Sequence, residues 1–584
     1  MLCATLATST SAESLTKYIE PDVEFFVLVP SLAETREQWA THPVAEIFAD
    51  EAIQELMGFT ASEAEVSDDE PSGFTQVMNQ EFGLTWDELL ELFPGQMALM
   101  FYNLSDSLLQ TGERHQGVLM AEFSADEDRL NTLMQIQFER NAKAQKAVNP
   151  VVEHTLIEES FMGETLYMDE TFNGQVTYIE DGFALVDGIF LLGSEERLRR
   201  AVELIKEGGA AIDTTATYQR SREASVGGDL QLYVNLSSML YPLNDALMAK
   251  FFEGGMAMLG VTAQSVESAL SLQSIDAAFI DLELTESGGL AHGGILYNEK
   301  SGLLRMVAYG DGSLPEAAYI PESVVATTIS TFDIGEMLVE LEKVLAVANP
   351  SVPLLLNIQL QRLKAETGVD FRGSILENLS GDVVTVSVLK EVLRGGEGPS
   401  VEQMYVIGIQ DGAALSQALE ALKDIIPGAR EMIETQEYEG QTIHTFKGLA
   451  GPTQRNAPVN DFSYAITRSE LIVNVGRIGL LQEVLSLMVH SESGFWQMDS
   501  TEDLFEMIEQ PMAVSRSYMD LEQMVQPILT SVVAASSARG INSGIDLSKM
   551  PLDLDLPLLL ISETNEAADG IFTRAYIFKR GDAK

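Results

Sequence analysis

The sequence predicts an α+β fold written twice: a tandem duplication of a mainly antiparallel-sheet domain with helices packed on the sheet. Three observations carry that reading. Segments recur in the same order at a nearly constant spacing, short strand patterns are joined by polar hairpin turns, and amphipathic helical stripes are interspersed without the regular β-α-β alternation of a parallel sheet.

The repeat is visible in six matched segments. Gly83 to Tyr102 matches Gly368 to Leu389, and the segment 118–137 matches 404–423. GETLYMDE (163–170) matches GQTIHTFK (440–447), and IFLLGSEERLRRAVELI (189–205) matches IVNVGRIGLLQEVLSLM (472–488). LYVNLSSM (232–239) matches SYMDLEQM (517–524), and the segment 284–297 matches 565–578. The pairs Gly95/Gly381, Gly163/Gly440, Gly193/Gly476, Tyr233/Tyr518 and Gly289/Gly570 lie 286, 277, 283, 285 and 281 residues apart. A shorter solenoid period is missing, so two domains are expected and not an array. The expected division is residues 1–12 as the remnant of a signal peptide, 13–312 as the first repeat, 313–321 as a linker and 322–584 as the second repeat.

Within one copy, a strand (Glu24–Val29) precedes helices over about 33–57, then strands near 96–102 and 117–123 precede a long helix near 125–142. Short strands span about 151–193, with turns at Gly163, Asn173-Gly174 and Asp187-Gly188. In Glu195–Lys206, Leu198, Val202 and Ile205 share one helical face. A strand over 229–235 leads to helices reaching about 260, and strands near 276–285, 289–298 and 303–309 close the copy.

Composition narrows the function. The chain has 584 residues, 46% hydrophobic and 21% charged, with an ordinary 45 Gly and 19 Pro, so it is neither disordered nor fibrous. Against 35 Lys+Arg stand 89 Asp+Glu, a formal charge of −54. Such a surface repels phosphate backbones and anionic headgroups, so nucleic acid is excluded as a partner. No stretch reaches the roughly 18 apolar residues of a membrane-crossing helix, so no transmembrane segment is expected. Met1 to Ala12 is uncharged and rich in small residues, as in the latter part of a secretory signal ending near Thr10-Ser11-Ala12. Cys3 would leave with that signal. A mature chain without cysteine has no disulfide, thiol nucleophile or thiolate metal site. The expected location is periplasmic or extracellular, with a cytoplasmic place left open.

No P-loop, G-x-S-x-G, H-E-x-x-H or Rossmann glycine fingerprint occurs. The six histidines, His42, His115, His154, His292, His444 and His490, include no pair at ligand spacing. The acidic run Glu63, Glu65, Asp68, Asp69 and Glu70 offers oxygen ligands for Ca²⁺, but it lacks EF-hand spacing, and mutual repulsion favours a solvated run. Glu158-Glu159, Asp169-Glu170 and Glu180-Asp181 are adjacent pairs on strands. Neighbours on a strand point to opposite faces, so neither member can oppose the other as a catalytic carboxylate. Tyr233-x-Asn235 and Tyr518-x-Asp520 stand where a strand meets a helix, and Asn and Asp there are natural N-caps. Arg580-Gly581-Asp582 is a three-residue coincidence with an adhesion tripeptide.

FALVDGIFLLGSEERLRRAV (183–202), the acidic chain and the signal-like start resemble large exported proteins of Gram-negative bacteria built from domains of unknown function. That resemblance implies an envelope location and supplies no activity and no site residues. The two copies share glycines, apolar periodicity and a cap, while every candidate reactive group differs. A scaffold has been duplicated, not an active site. The expectation is therefore a non-catalytic exported binding or scaffold protein without a cofactor, whose partner is another protein or a hydrophobic small molecule. Met239, Met248, Met256 and Met258 are expected to fill the core, and would alternatively suit the wall of an adaptable groove in a carrier of a lipid-like molecule. The contrasting reading is a hydrolase with one unmarked carboxylate site, in one repeat or the groove between them, which requires carboxyl groups converging within roughly 5–10 Å.

Overall fold

The computed structural model describes residues 14–45, 86–104, 116–124, 127–240, 270–310, 313–390, 400–426, 428–446, 462–490, 494–524 and 558–580. The chain divides into two units, Met1–Leu247 with Ile275–Tyr297, and Met248–Ser274 with Asn298–Lys584.

The first unit has strands β1 (Phe25–Val29), β2 (Met97–Tyr102), β3 (Gln116–Glu122), β4 (Glu153–Phe161), β5 (Glu164–Phe172), β6 (Thr177–Val186), β7 (Ile189–Gly193), β8 (Leu230–Val234), β9 (Ile275–Thr285) and β10 (Gly288–Tyr297). All pair antiparallel, in the spatial order β4-β5-β6-β7-β3-β2-β1-β8-β9-β10. The second unit has β11 (Val324–Thr331), β12 (Leu379–Lys390), β13 (Ser400–Ile409), β14 (Ile433–Tyr438), β15 (Gln441–Phe446), β16 (Phe462–Ile466), β17 (Glu470–Val475), β18 (Ala513–Asp520), β19 (Leu558–Ala567) and β20 (Gly570–Lys579). Its order is β14-β15-β16-β17-β13-β12-β11-β18-β19-β20, the same topology strand for strand. The α+β fold is thus a tandem duplication.

Register aligns the copies residue by residue. In the first unit Leu28, Ala98, Met120, Leu191, Ala184 and Leu166 are direct neighbours across six strands. Ile329, Val384, Val406, Ile472, Ala465 and Ile443 form the matching row in the second. Every one of these twelve side chains is buried, because alternate residues of a strand face the same side and here that side is the core.

The helices repeat as well. α1 (Leu32–Thr41) and α2 (Trp86–Leu92) precede β2, and α3 (Glu127–Val148) joins β3 to β4. α4 (Glu195–Glu207) follows β7 and buries Leu198, Ala201 and Val202, the stripe its 3- and 4-residue spacing predicts. α5 (Ala216–Ala224) leads into β8. In the second unit α6 (Leu303–Met306), α7 (Ile334–Ala348) and α8 (Ser351–Thr367) come first, α9 (Gly412–Ile425) takes the place of α3, and α11 (Ile478–His490) takes that of α4. Between them lies the short α10 (Ala429–Met432), and α12 (Asp499–Glu506) precedes β18.

Two boundaries differ from the sequence reading. Residues 303–309, expected as a strand, hold α6 instead, entered through Gly302 at φ +53°, whose N–H donates to Glu340 Oε1 at 3.2 Å. That attachment ties the segment to α7, and residues 298–312, expected in the first repeat, belong to the second unit. Residues 313–321, read as a linker, carry Ala317 and Ile320 at 2% and 1% exposure. The Phe495 N–H donates to the Ile320 carbonyl at 3.2 Å, as the Ile212 N–H donates to the Ile19 carbonyl at 2.8 Å in the first unit. Tyr319-Ile320 is therefore the counterpart of Tyr18-Ile19.

Candidate functional site

Among the described residues, the second unit opens a cavity of about 700 Å³ where the first is filled. Its floor is the bulged start of β12 (Ser380, Asp382, Val384) and the end of β13 (Val406, Gly408). The hairpin turn Thr467–Glu470, the C-terminal half of α11 and the segment 315–319 form its walls.

Register explains why the space exists. In the first unit Val186 and Ile189 close the β6–β7 turn and are 0% and 6% exposed in the core. Their counterparts are Thr467 and Glu470, whose side chains hydrogen-bond to each other at the cavity wall. Glu122 of the first unit accepts from the Gln96 backbone N–H at 3.0 Å and its Nε2 at 3.3 Å, and Gln96 Oε1 accepts from the Leu15 N–H at 3.1 Å. That chain of bonds plugs the end of the sheet. At the same register the second unit has Gly408 and Asp382, and the plug is gone. Lys206 near the end of α4 pairs with Glu164 and, at 2.9 Å, with Asp187. The matching residues are Val489, Gln441 and Arg468, all lining the cavity. A filled, ion-pair-capped corner has become a hollow with an apolar wall and a polar rim.

The bulge is built for this. β12 and β13 pair Leu379 with Ile409 and then Val383 with Ile407, so the residues between are pushed out of register. Gly381 turns the chain at φ +101°, and a side chain there would collide with the Phe332 carbonyl. Gly408 lets Ser380 and Asp382 fold over the neighbouring strand. Val384, Val406, Leu485, Leu487, Met488 and Val489 supply the apolar wall. Burial first, and then the charges of Glu470 and Asp382, push the Tyr319 hydroxyl well above its usual pKa. Tyr319 therefore stays a neutral hydrogen-bond donor.

The residues singled out from the sequence fare differently. Glu63, Glu65, Asp68, Asp69 and Glu70 lie outside the described residues, as do Met248, Met256, Met258 and Cys3. Asn235 and Asp520 are the caps expected: Asn235 Oδ1 accepts from the Ser238 N–H and Asp520 Oδ1 from the Gln523 N–H, both at 3.3 Å. Arg580 pairs with Asp520 and, at 3.5 Å, with Glu522, so it is engaged within the second unit. His444 stacks on Tyr464 at 4.6 Å, the position where Tyr167 stacks on Phe183 at 4.7 Å in the first copy. Burial, and then the Lys423 charge, lower the His444 pKa.

The carboxylate pairs need correction. Adjacent members do not oppose one another, but members of different pairs meet: Asp169 and Glu180 converge with His154, with donor atoms of all three within 4.8 Å of one another. Reasoning along one strand missed a convergence made across three. No signal in the local sequence marks it, since it depends on the register of β4, β5 and β6.

No family model matches the chain, and neither does any curated protein. Among solved structures, crystal form I of TP0453 is similar over 52% of this chain and 90% of its own, at 8% identity and a TM-score of 0.22. Crystal form III covers 51% and 85% at 9% identity and a TM-score of 0.23, and form IV covers 48% and 79% at 8% and 0.23.

Proposed function

We propose that this chain is a non-catalytic exported binding protein that holds a small amphiphile in the cavity of its second unit. The observation that carries the reading is the exchange of a plugged corner for a hollow at matching register: Val186, Ile189, Glu122 and Lys206 against Thr467, Glu470, Gly408 and Val489. A volume of about 700 Å³ falls in the range of small-molecule sites, roughly 300–1,000 Å³. The wall of Val384, Val406, Leu485, Leu487 and Met488 suits an aliphatic or alicyclic body. Asp382, Glu470 and Glu316 against the single cation Arg468 favour a head that donates hydrogen bonds and is neutral or cationic, and disfavour an anionic head.

The hydrolase reading has less support. Among the described residues, the carboxylates that converge with a histidine do so around His154, whose side chain is 2% exposed and does not itself line the neighbouring cavity. A protein partner is the second reading, favoured by α8, where Leu354, Leu355 and Ile358 are 61%, 57% and 51% exposed among the described residues. The envelope location belongs to the same proposal, and N-terminal sequencing of the chain recovered from a periplasmic extract tests it.

The cavity is tested by calorimetric titration of the full chain with dodecylammonium and with dodecanoate, each below its micellar concentration. One dodecylammonium should bind per chain, weakened about tenfold or more by Glu470→Gln, since a charge-assisted hydrogen bond contributes roughly 1.5–3 kcal/mol. Binding of dodecanoate with equal strength would overturn the assignment of the head group, and binding of neither would overturn the cavity.

A further inference from the structure

We propose that His154, Asp169 and Glu180 of the first unit bind one divalent cation of the Zn²⁺ class. This site lies in the other repeat from the amphiphile cavity and does not depend on it. His154 of β4 stands directly opposite Thr171 of β5, and Asp169 lies two residues along on the same face. The register shift between β5 and β6, where Met168 pairs with Gly182 but Glu170 with Ile179, places Glu180 and Asp181 in a bulge opposite Asp169. The bulge delivers Glu180 into the cluster.

The donor atoms lie within 4.8 Å of one another, some at hydrogen-bonding distance, close to the spacing a coordination shell requires. His154 Nδ1 lies 2.9 Å from Asp169 Oδ2, and Thr171 Oγ1 lies 3.0 Å from that nitrogen, 3.2 Å from Asp169 Oδ1 and 3.3 Å from Glu180 Oε2. Donors on a tetrahedral Zn²⁺ with bonds of about 2.0–2.2 Å are separated by roughly 3.3–3.6 Å, so small shifts suffice to admit the ion. Thr171, 1% exposed, touches the imidazole and both carboxylates and holds their orientation.

Three further facts point to a cation rather than a self-contained ion pair. Asp169, Glu180 and Asp181 all line a cavity of about 330 Å³ whose lining includes no Lys or Arg. In the cavity lining, α3 places Gln137, whose Oε1 is buried without a partner. The cavity also gives the ion a path and room for water ligands. One nitrogen with carboxylate oxygens suits Zn²⁺ or Mn²⁺, whereas Ca²⁺ takes six to eight oxygens. The site belongs to the first copy alone, for Phe446 occupies the register position of Asp169 in the second.

The test is calorimetric titration of the full chain with Zn²⁺ at physiological salt, repeated with Mn²⁺ and Ca²⁺. One Zn²⁺ per chain should bind, more tightly than Ca²⁺. Asp169→Asn and Glu180→Gln should each weaken it about tenfold or more, the least expected when a ligand rather than its support is lost. Glu180→Gln keeps the side-chain shape, and circular dichroism verifies that each variant folds. Neutralising Glu63, Glu65, Asp68, Asp69 and Glu70 together should leave the isotherm unchanged. Absence of a single-site isotherm, indifference to both substitutions, or loss on neutralising the 63–70 run would each overturn the proposal.

Discussion

Ile320→Ala should destabilise the second unit by about 3–4 kcal/mol. Ile320 is 1% exposed and its backbone carbonyl receives the Phe495 N–H at 3.2 Å, so it is buried and anchored at the place of Ile19, 0% exposed, in the first unit. The substitution removes three carbons, and at about 0.8 kcal/mol each the transfer term is about 2.4 kcal/mol. The enclosed position adds a cavity term, which carries the total toward the middle of the 2–5 kcal/mol range for such truncations. Trp496, 8% exposed and next to Phe495, is the reporter, and the chain has only three tryptophans. Urea unfolding followed by fluorescence in a Trp39→Phe, Trp86→Phe background isolates its signal. A change below about 0.5 kcal/mol, as for an exposed substitution, would mean that 313–321 is the linker its composition suggested and that the match of Tyr319-Ile320 with Tyr18-Ile19 is accidental.

Other outcomes follow from the same structure. Arg197 lies 2.8 Å from Glu20 and 4.0 Å above the Tyr102 ring, with both ion-pair side chains 10% exposed, so Arg197→Met should cost about 1.5–3 kcal/mol, the loss of a charged hydrogen bond while Arg200 Nε still reaches Glu20 at 3.3 Å. Adding Glu20→Gln should recover much of that loss in a double-mutant cycle. Gly381→Ala should unfold or strongly destabilise the second unit, because φ is +101° and the new methyl meets the Phe332 carbonyl; thermal melting measures it. His444 is neutral in the fold because its pKa is lowered from 6.5. The unfolded chain therefore takes up the proton first, and the His444 contribution, full above pH 6.5, should fade as pH drops toward the folded value. Lys423→Met should raise the folded value, read by NMR titration of the imidazole.

Much of the fold was legible because a duplicated core must repeat its apolar rhythm. Leu198 and Val202 are buried as the stripe requires, Ile205 packs partly buried against the core, and the caps Asn235 and Asp520 follow from local rules. The cavity was hidden by a two-residue slip. Matching IFLLGSEERLRRAVELI with IVNVGRIGLLQEVLSLM aligns α4 with α11, but the preceding strands pair as Leu191 with Ile472, two residues out of step. A shift of two preserves the inside–outside alternation of a strand, so the faulty alignment still looked sound. It concealed the replacement of Ile189 by Glu470. The α6 segment was misread for another reason: Leu303 to Met306 is apolar enough for a strand, and only its tie to Glu340 selects a helix. The His154 cluster depends on cross-strand register, which periodicity cannot supply.

The central claim is that the second unit keeps its cavity for a ligand. Native mass spectrometry tests it most directly, on the chain gently purified from its own source and on a variant carrying Thr467→Val and Glu470→Ile, the residues of the packed first copy. The account predicts a retained organic mass on the natural chain and a bare, folded variant. A bare natural chain that takes up nothing from a total extract of its source, or a mass held equally by both, would contradict it.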